Sequence, residues 1–166
     1  MRSLVLSVLM VAALVVAAGS ARAATATSGV PVTLTISATA VLDISTTTVS
    51  FPNADPDTTP SISASQGAIT VAAKARTATS STVTLTVIAS GDLVSGSNTI
   101  PISNVTWTAT GTGFQAGTLS SASAQTLGAW TGSGSRAGTQ SFSFTNSWTY
   151  ATGTYTTTAT YTLTAP

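Results

Sequence analysis

An all-β fold, an antiparallel β-sandwich of about 7–9 strands, is predicted for this chain from two features beyond its N-terminus. The first is alternation: Val30-Pro-Val-Thr-Leu-Thr-Ile-Ser, Ser81-Thr-Val-Thr-Leu-Thr-Val and Thr156-Thr-Thr-Ala-Thr-Tyr-Thr-Leu-Thr164 repeat apolar and hydroxylated residues in turn. A period of two sends one set of side chains to each face of a strand, and β-branched threonine suits that backbone while its hydroxyl meets water. The second is punctuation, since Gly, Pro, Asn and Asp clusters separate the alternating runs. A third feature, an export leader, precedes the fold.

The leader occupies residues 1–23. Arg2 gives a positive start, Leu4 to Ala18 form an apolar run, and Ala21-Arg22-Ala23 supplies a small-x-small cleavage site, with cleavage near Ala23. An uncleaved anchor is the competing reading, but the run is short of the roughly 20 residues that span a bilayer. No cysteine follows it for a lipid anchor, and no later stretch is apolar enough to span, so no membrane span is expected in the mature chain. The Ala-rich leader has a bacterial character. Residues 24–166 read as one domain, because no segment on either side of a loop holds a separate core.

Strands are predicted near 30–38, 41–51, 68–76, 81–89, 99–110, 139–150 and 154–164. Val30, Val32, Leu34 and Ile36 share one face of the first. Ile69, Val71, Ala73 and Ala75 line the third, with Lys74 and Arg76 opposite, and Val83, Leu85 and Val87 line the fourth. Val105, Trp107 and Ala109, Phe142 and Phe144, then Tyr155, Ala159, Tyr161 and Leu163 continue the inner face. Pro52 to Pro60 reads as a proline-rich loop that no central strand accommodates, and Thr131 to Gly138 as a flexible surface loop.

Composition argues against most chemistry. Without the leader the chain has no His, Cys, Glu or Met, and three basic residues (Lys74, Arg76, Arg136) face four acidic ones (Asp43, Asp55, Asp57, Asp92), a net charge of −1. Three cations do not track a phosphate backbone, so no nucleic acid partner is expected. Hydroxyls rather than charges must keep the protein in solution, which suits a component of an assembly. A Ser-His-Asp triad is impossible without histidine. A Ser-Lys dyad would need Lys74, which the alternation places on a solvated face. Paired-carboxylate hydrolysis would need an Asp in an apolar pocket, whereas Asp55 and Asp57 fall in the proline-rich loop. Asn53, Asp55 and Asp57 have the alternating oxygens of a calcium loop, but Thr58 and Ala64 stand where its glycine and bidentate glutamate belong, so an Asx turn is the simpler reading. No metal, no cofactor and no enzymatic activity are expected.

Two other surfaces are legible. Trp107, Trp130 and Trp148, with Tyr150, Tyr155 and Tyr161, are candidates for a platform that stacks sugars. Of the aromatic residues, Trp107, Phe142, Phe144 and Tyr161 read as core, and Trp130, bordering the glycine-rich loop, is the best candidate for an exposed ring. Threonine rows also suggest ice binding, but no fixed repeat builds a flat array, and hydroxylated outer faces are the plainer explanation.

The closing run Gly153-Thr-Tyr155-Thr-Thr-Thr-Ala-Thr-Tyr161-Thr-Leu-Thr-Ala-Pro166 resembles the last strand of two exported families, the chaperone–usher pilins and the WxL-type bacterial cell-surface domains. The resemblance implies an Ig-like or pilin-like sandwich in a surface setting, and no functional residues are carried over. A strand-exchanging subunit needs an N-terminal extension with alternating apolar side chains, and Ala24 to Gly29 followed by Val30, Val32, Leu34 and Ile36 is a candidate donor strand. The plainer reading of the same residues is the first strand of the domain's own sheet. The expectation is an exported, non-enzymatic structural or adhesive protein of the bacterial cell surface or periplasm, a fibre-like or pilus-like subunit assembling by strand addition, with itself or other surface proteins as partners. The alternative is a secreted module binding carbohydrate or cell wall, with polysaccharide as partner.

Overall fold

A computed structural model describes residues 23–166, so the leader predicted at 1–23 lies, apart from Ala23, outside the described residues. The chain divides into two compact units, one ending at Leu34 and one from Thr35 to Pro166. In the first, residues 23–34 form no strand and are exposed throughout.

The second unit carries every strand among the described residues: β1 (Thr39–Ile44), β2 (Ser61–Arg76), β3 (Thr82–Ala89), β4 (Leu93–Ser95), β5 (Asn98–Ile100), β6 (Val105–Thr110), β7 (Gly117–Thr118), β8 (Gln125–Thr131), β9 (Gly134–Thr145) and β10 (Ala159–Thr164). The only helical element among them is one 3-10 turn at Ile102–Asn104. The fold is all-β, and every ladder is antiparallel. One sheet has the order β1-β2-β9-β6-β7, a second β10-β3-β8, and β4 pairs with β5 in a small third. No helix among the described residues is long and apolar enough to cross a membrane.

Alternation translates directly into burial. Val83, Leu85 and Val87 of β3 are fully buried while the threonines between them are not, and in β2 Ile69, Val71 and Ala73 are buried while Thr70 and Ala72 between them are not. With Trp107, Leu127, Trp130 and Phe142 they form one core to which both large sheets contribute. Each fully buried Val, Leu or Ile side chain contributes about 1.5–3 kcal/mol by leaving water.

Three sequence expectations are corrected. The strand predicted at 30–38 is absent: strand structure begins at Thr39. Perfect alternation satisfies the period of a strand but supplies no neighbour for its backbone groups, and a strand needs both. The loop predicted at 131–138 is instead the end of β8, a two-residue turn and the start of β9 in the other large sheet. Thr131 ends β8, Gly132 and Ser133 turn, and β9 starts at Gly134 and pairs with β2 from Ala75 onward. Glycine is required here by space, because a Cβ on Gly138 would collide with the Thr110 carbonyl and the Phe114 ring. Lastly, β2 begins at Ser61, seven residues before its predicted start. A bulge between Ser63 and Ala68, where Gly67 takes a φ of 64°, breaks the alternation.

Candidate functional site

The two edges of a sheet are where its backbone groups can meet another chain. The outer edge of β8 is occupied: Ala129 N–H donates to the Gly113 carbonyl at 2.9 Å, and Gln115 N–H donates to the Leu127 carbonyl at 2.8 Å. The edge strand β7 is only two residues long. Beneath these strands the core is sealed, with Trp107, Leu119, Leu127 and Trp130 all buried.

The opposite side differs. Among the described residues β1 pairs only with β2 and β10 only with β3, and each is a full six residues long. The two strands come close to one another without forming a ladder. Their inward side chains are only partly covered: Leu42 and Ile44 on β1, and Ala159, Tyr161, Leu163 and then Ala165 along β10, all pack against the core yet stay half-exposed. The core is therefore incompletely roofed along β10. The outward residues of β10 are Thr160, Thr162 and Thr164, so the edge carries no charge or proline that would resist pairing. Asp43 places such a guard on β1.

The predicted donor residues are the most exposed aliphatics described: Val30 is 82%, Val32 93%, Leu34 80% and Ile36 64% accessible. Immediately after them, Ile36, Ser37 and Ala38 line a shallow depression with Arg76, Thr77, Ala78 and Pro166. The Thr77 hydroxyl donates to the Pro166 carbonyl there, tying the end of the chain to the turn after β2. The entry to β1 and the exit from β10 thus lie together.

One buried polar pair crosses between the two large sheets. The Tyr161 hydroxyl of β10 donates to Gln140 Oε1 of β9 at 2.7 Å, and Gln140 is fully buried with its Nε2 unpartnered. Burial pushes the Tyr161 phenol up to about 12.

The sequence placed the exposed tryptophan wrongly. Trp130 is 8% accessible and belongs to the core, with its indole N–H buried and unpartnered, so it offers no ring to a ligand. The exposed ring is Trp148, which the sequence offered in the candidate stacking platform but ranked behind Trp130. Asp55 and Asp57 make an Asx turn: the Asp57 N–H donates to Asp55 Oδ1 at 2.9 Å, and Asp57 Oδ1 accepts the Trp148 indole N–H at 3.0 Å. Among the described residues no three carboxylate, His or Cys groups gather as metal ligands. Lys74 is exposed on β2, as the alternation predicts. Asp43 lies on β1 and Asp92 caps the 3-10 turn region by accepting the Ile102 N–H at 2.9 Å, so both stand apart from the Asp55–Asp57 turn.

No family model, no curated protein and no solved structure matches this chain.

Proposed function

We propose that this chain is an exported, non-enzymatic component of the bacterial cell surface that polymerises by strand addition, with residues 30–36 of one copy lying along the outer edge of β10 in the next. In this reading the two large sheets face each other as an Ig-like or pilin-like sandwich, and the neighbour's strand completes the roof over the half-covered core. The observation that carries it is the match between donor and acceptor. Val30, Val32, Leu34 and Ile36 present four apolar side chains at a period of two, and Ala159, Tyr161, Leu163 and Ala165 present four half-buried positions at the same period.

Strand addition would satisfy free backbone groups on both partners and remove the exposed aliphatics from water. Pro31 lacks an N–H, but in an added edge strand its missing donor falls on one side only. The near absence of charge also fits, because a mature chain with net charge −1 has little repulsion opposing close repetition. Export rests on the leader sequence.

The test is assembly of the protein purified without residues 1–23. Electron microscopy and sedimentation are expected to show linear polymers whose length grows with concentration. A protein that stays monomeric at high concentration contradicts the proposal.

A further inference from the structure

We propose that the Trp148 indole face and the Asp57 carboxylate form a stacking site for a neutral saccharide, separate from the assembly edge. The site is built on two segments far apart in sequence. The Pro52–Pro60 loop is closed on itself, since the Thr59 N–H donates to the Asp55 carbonyl at 2.8 Å and the Asp57 N–H donates to Asp55 Oδ1. Asn146 then clamps it: its Nδ2 donates to the Ala54 carbonyl at 3.0 Å and to the Thr59 carbonyl at 3.2 Å, while its N–H donates to the Pro60 carbonyl at 2.9 Å. Two residues on, Trp148 reaches Asp57, and Tyr150 anchors the segment by packing on Phe144 with ring centroids 5.7 Å apart.

The result is an indole held by its one polar atom and left 68% accessible, although the other two tryptophans are buried. A ring fixed in that way has only its apolar face to offer. What surrounds it identifies the ligand class. The neighbours in sequence and in the clamped loop are mostly polar, Asp55, Asp57, Thr58, Ser147 and Thr149 among them, with Pro56 the apolar residue between the two aspartates. A protein partner favours an aromatic anchor set among other apolar side chains that exclude water. A pyranose ring instead has one face of C–H groups and a rim of hydroxyls. Its C–H face stacks on the indole, and its hydroxyls donate to a carboxylate. Asp57 uses Oδ1 for the indole N–H, and a carboxylate has about four acceptor positions, so acceptor capacity remains. The two negative charges at Asp55 and Asp57 disfavour uronic acids and other anionic sugars, which selects neutral ones.

Fluorescence titration of the full mature chain with cellohexaose and, separately, chitohexaose tests the site, because Trp148 is the exposed emitter. A saturable blue shift with either sugar is expected. Trp148→Ala should abolish it, and Asp57→Asn should weaken binding roughly tenfold. Both changes are at the surface, so circular dichroism should remain that of the parent. No saturable response to either sugar at about 10 mM, well above the millimolar range of weak ligands, overturns the proposal. So does a response that survives Trp148→Ala. A Trp148 signal that shifts on self-association and ignores both sugars also overturns it, assigning the ring to a contact between copies. Because the titration is read on monomer as well as polymer, its failure leaves the assembly proposal standing, and failure of assembly leaves this site standing.

Discussion

Replacing Val32 and Leu34 together by aspartate is expected to reduce polymer yield by at least tenfold while leaving the fold intact. Both side chains are almost fully solvated, so the substitutions remove no intramolecular packing. Surface changes of this kind alter unfolding free energy by about 0.5 kcal/mol or less. In the assembled state the same positions would lie against Tyr161 and Leu163 of a neighbour. Two unpaired carboxylates there cost several kcal/mol, and each 1.4 kcal/mol is about a factor of ten in association. Sedimentation of the double variant against the parent reads the first effect, and urea denaturation reads the second. A variant that polymerises normally removes residues 30–36 from the account. A variant that unfolds assigns them to the domain's own packing.

Tyr161→Phe is expected to destabilise the folded chain by ~1–3 kcal/mol and to remove much of its sensitivity to alkali. The substitution strands Gln140, which is fully buried and whose Nε2 already has no partner, so the loss of the Tyr161 hydroxyl leaves its Oε1 unpaired as well. The pH dependence follows from the raised phenol, up to about 12 in the folded chain against 10.0 unfolded. Below pH 10 both states hold the proton and the contribution is fully present. Between 10 and 12 the unfolded chain has released a proton that the folded chain still holds, so stability falls with rising pH, by at most ~3 kcal/mol. Denaturation midpoints measured across this range should fall more steeply for the parent than for Tyr161→Phe. Equal stability at neutral pH and parallel alkaline losses would contradict a working tie between β9 and β10.

Much of the fold can be read from alternation, because alternation records which face a residue will bury. It located β3 almost to the residue, and it put Trp107 and Phe142 inside. It failed where geometry departs from period two. In β8 the ladder shifts between Leu85 and Thr86, so Leu127 and Gly128 are buried in succession and the strand loses its pattern. That hid β8 and left Trp130 looking like a loop residue. The tight turn from β8 to β9 was hidden because Gly132, Gly134 and Gly138 read as flexibility, whereas Gly138 is there for lack of room. At 99–110 the expected strand breaks at Pro101, which precedes the 3-10 turn and divides β5 from β6.

The candidate site was legible in its apolar residues and illegible in its placement. Val30 to Ile36 carries a strand's pattern, but a sequence pattern does not say whose sheet the strand joins. The half-covered state of β10 depends on which strands lie beside it, and that is a property of topology. Trp148 was obscured because the run 139–150 reads as one strand. A signal was present in Asn146-Ser147, turn-forming residues that end β9 at Thr145 and swing the tryptophan toward Asp57.

The most direct measurement uses the chain's lack of cysteine. Thr33 and Thr162 both occupy the hydroxylated positions of their alternating runs, so addition of residues 30–36 to β10 would bring that outer face of the donor beside that of the acceptor. Two cysteines cross-link when their Cα atoms lie about 4.4–6.8 Å apart, as paired residues on neighbouring strands do. Copies carrying Thr33→Cys are mixed with copies carrying Thr160→Cys, Thr162→Cys or Thr164→Cys, and oxidised under conditions of assembly. Disulfide-linked dimers are expected with one of the β10 positions and not with Thr118→Cys on β7. Polymers that cross-link only through β7, or that form no β10 disulfide in any register, would contradict strand addition at β10.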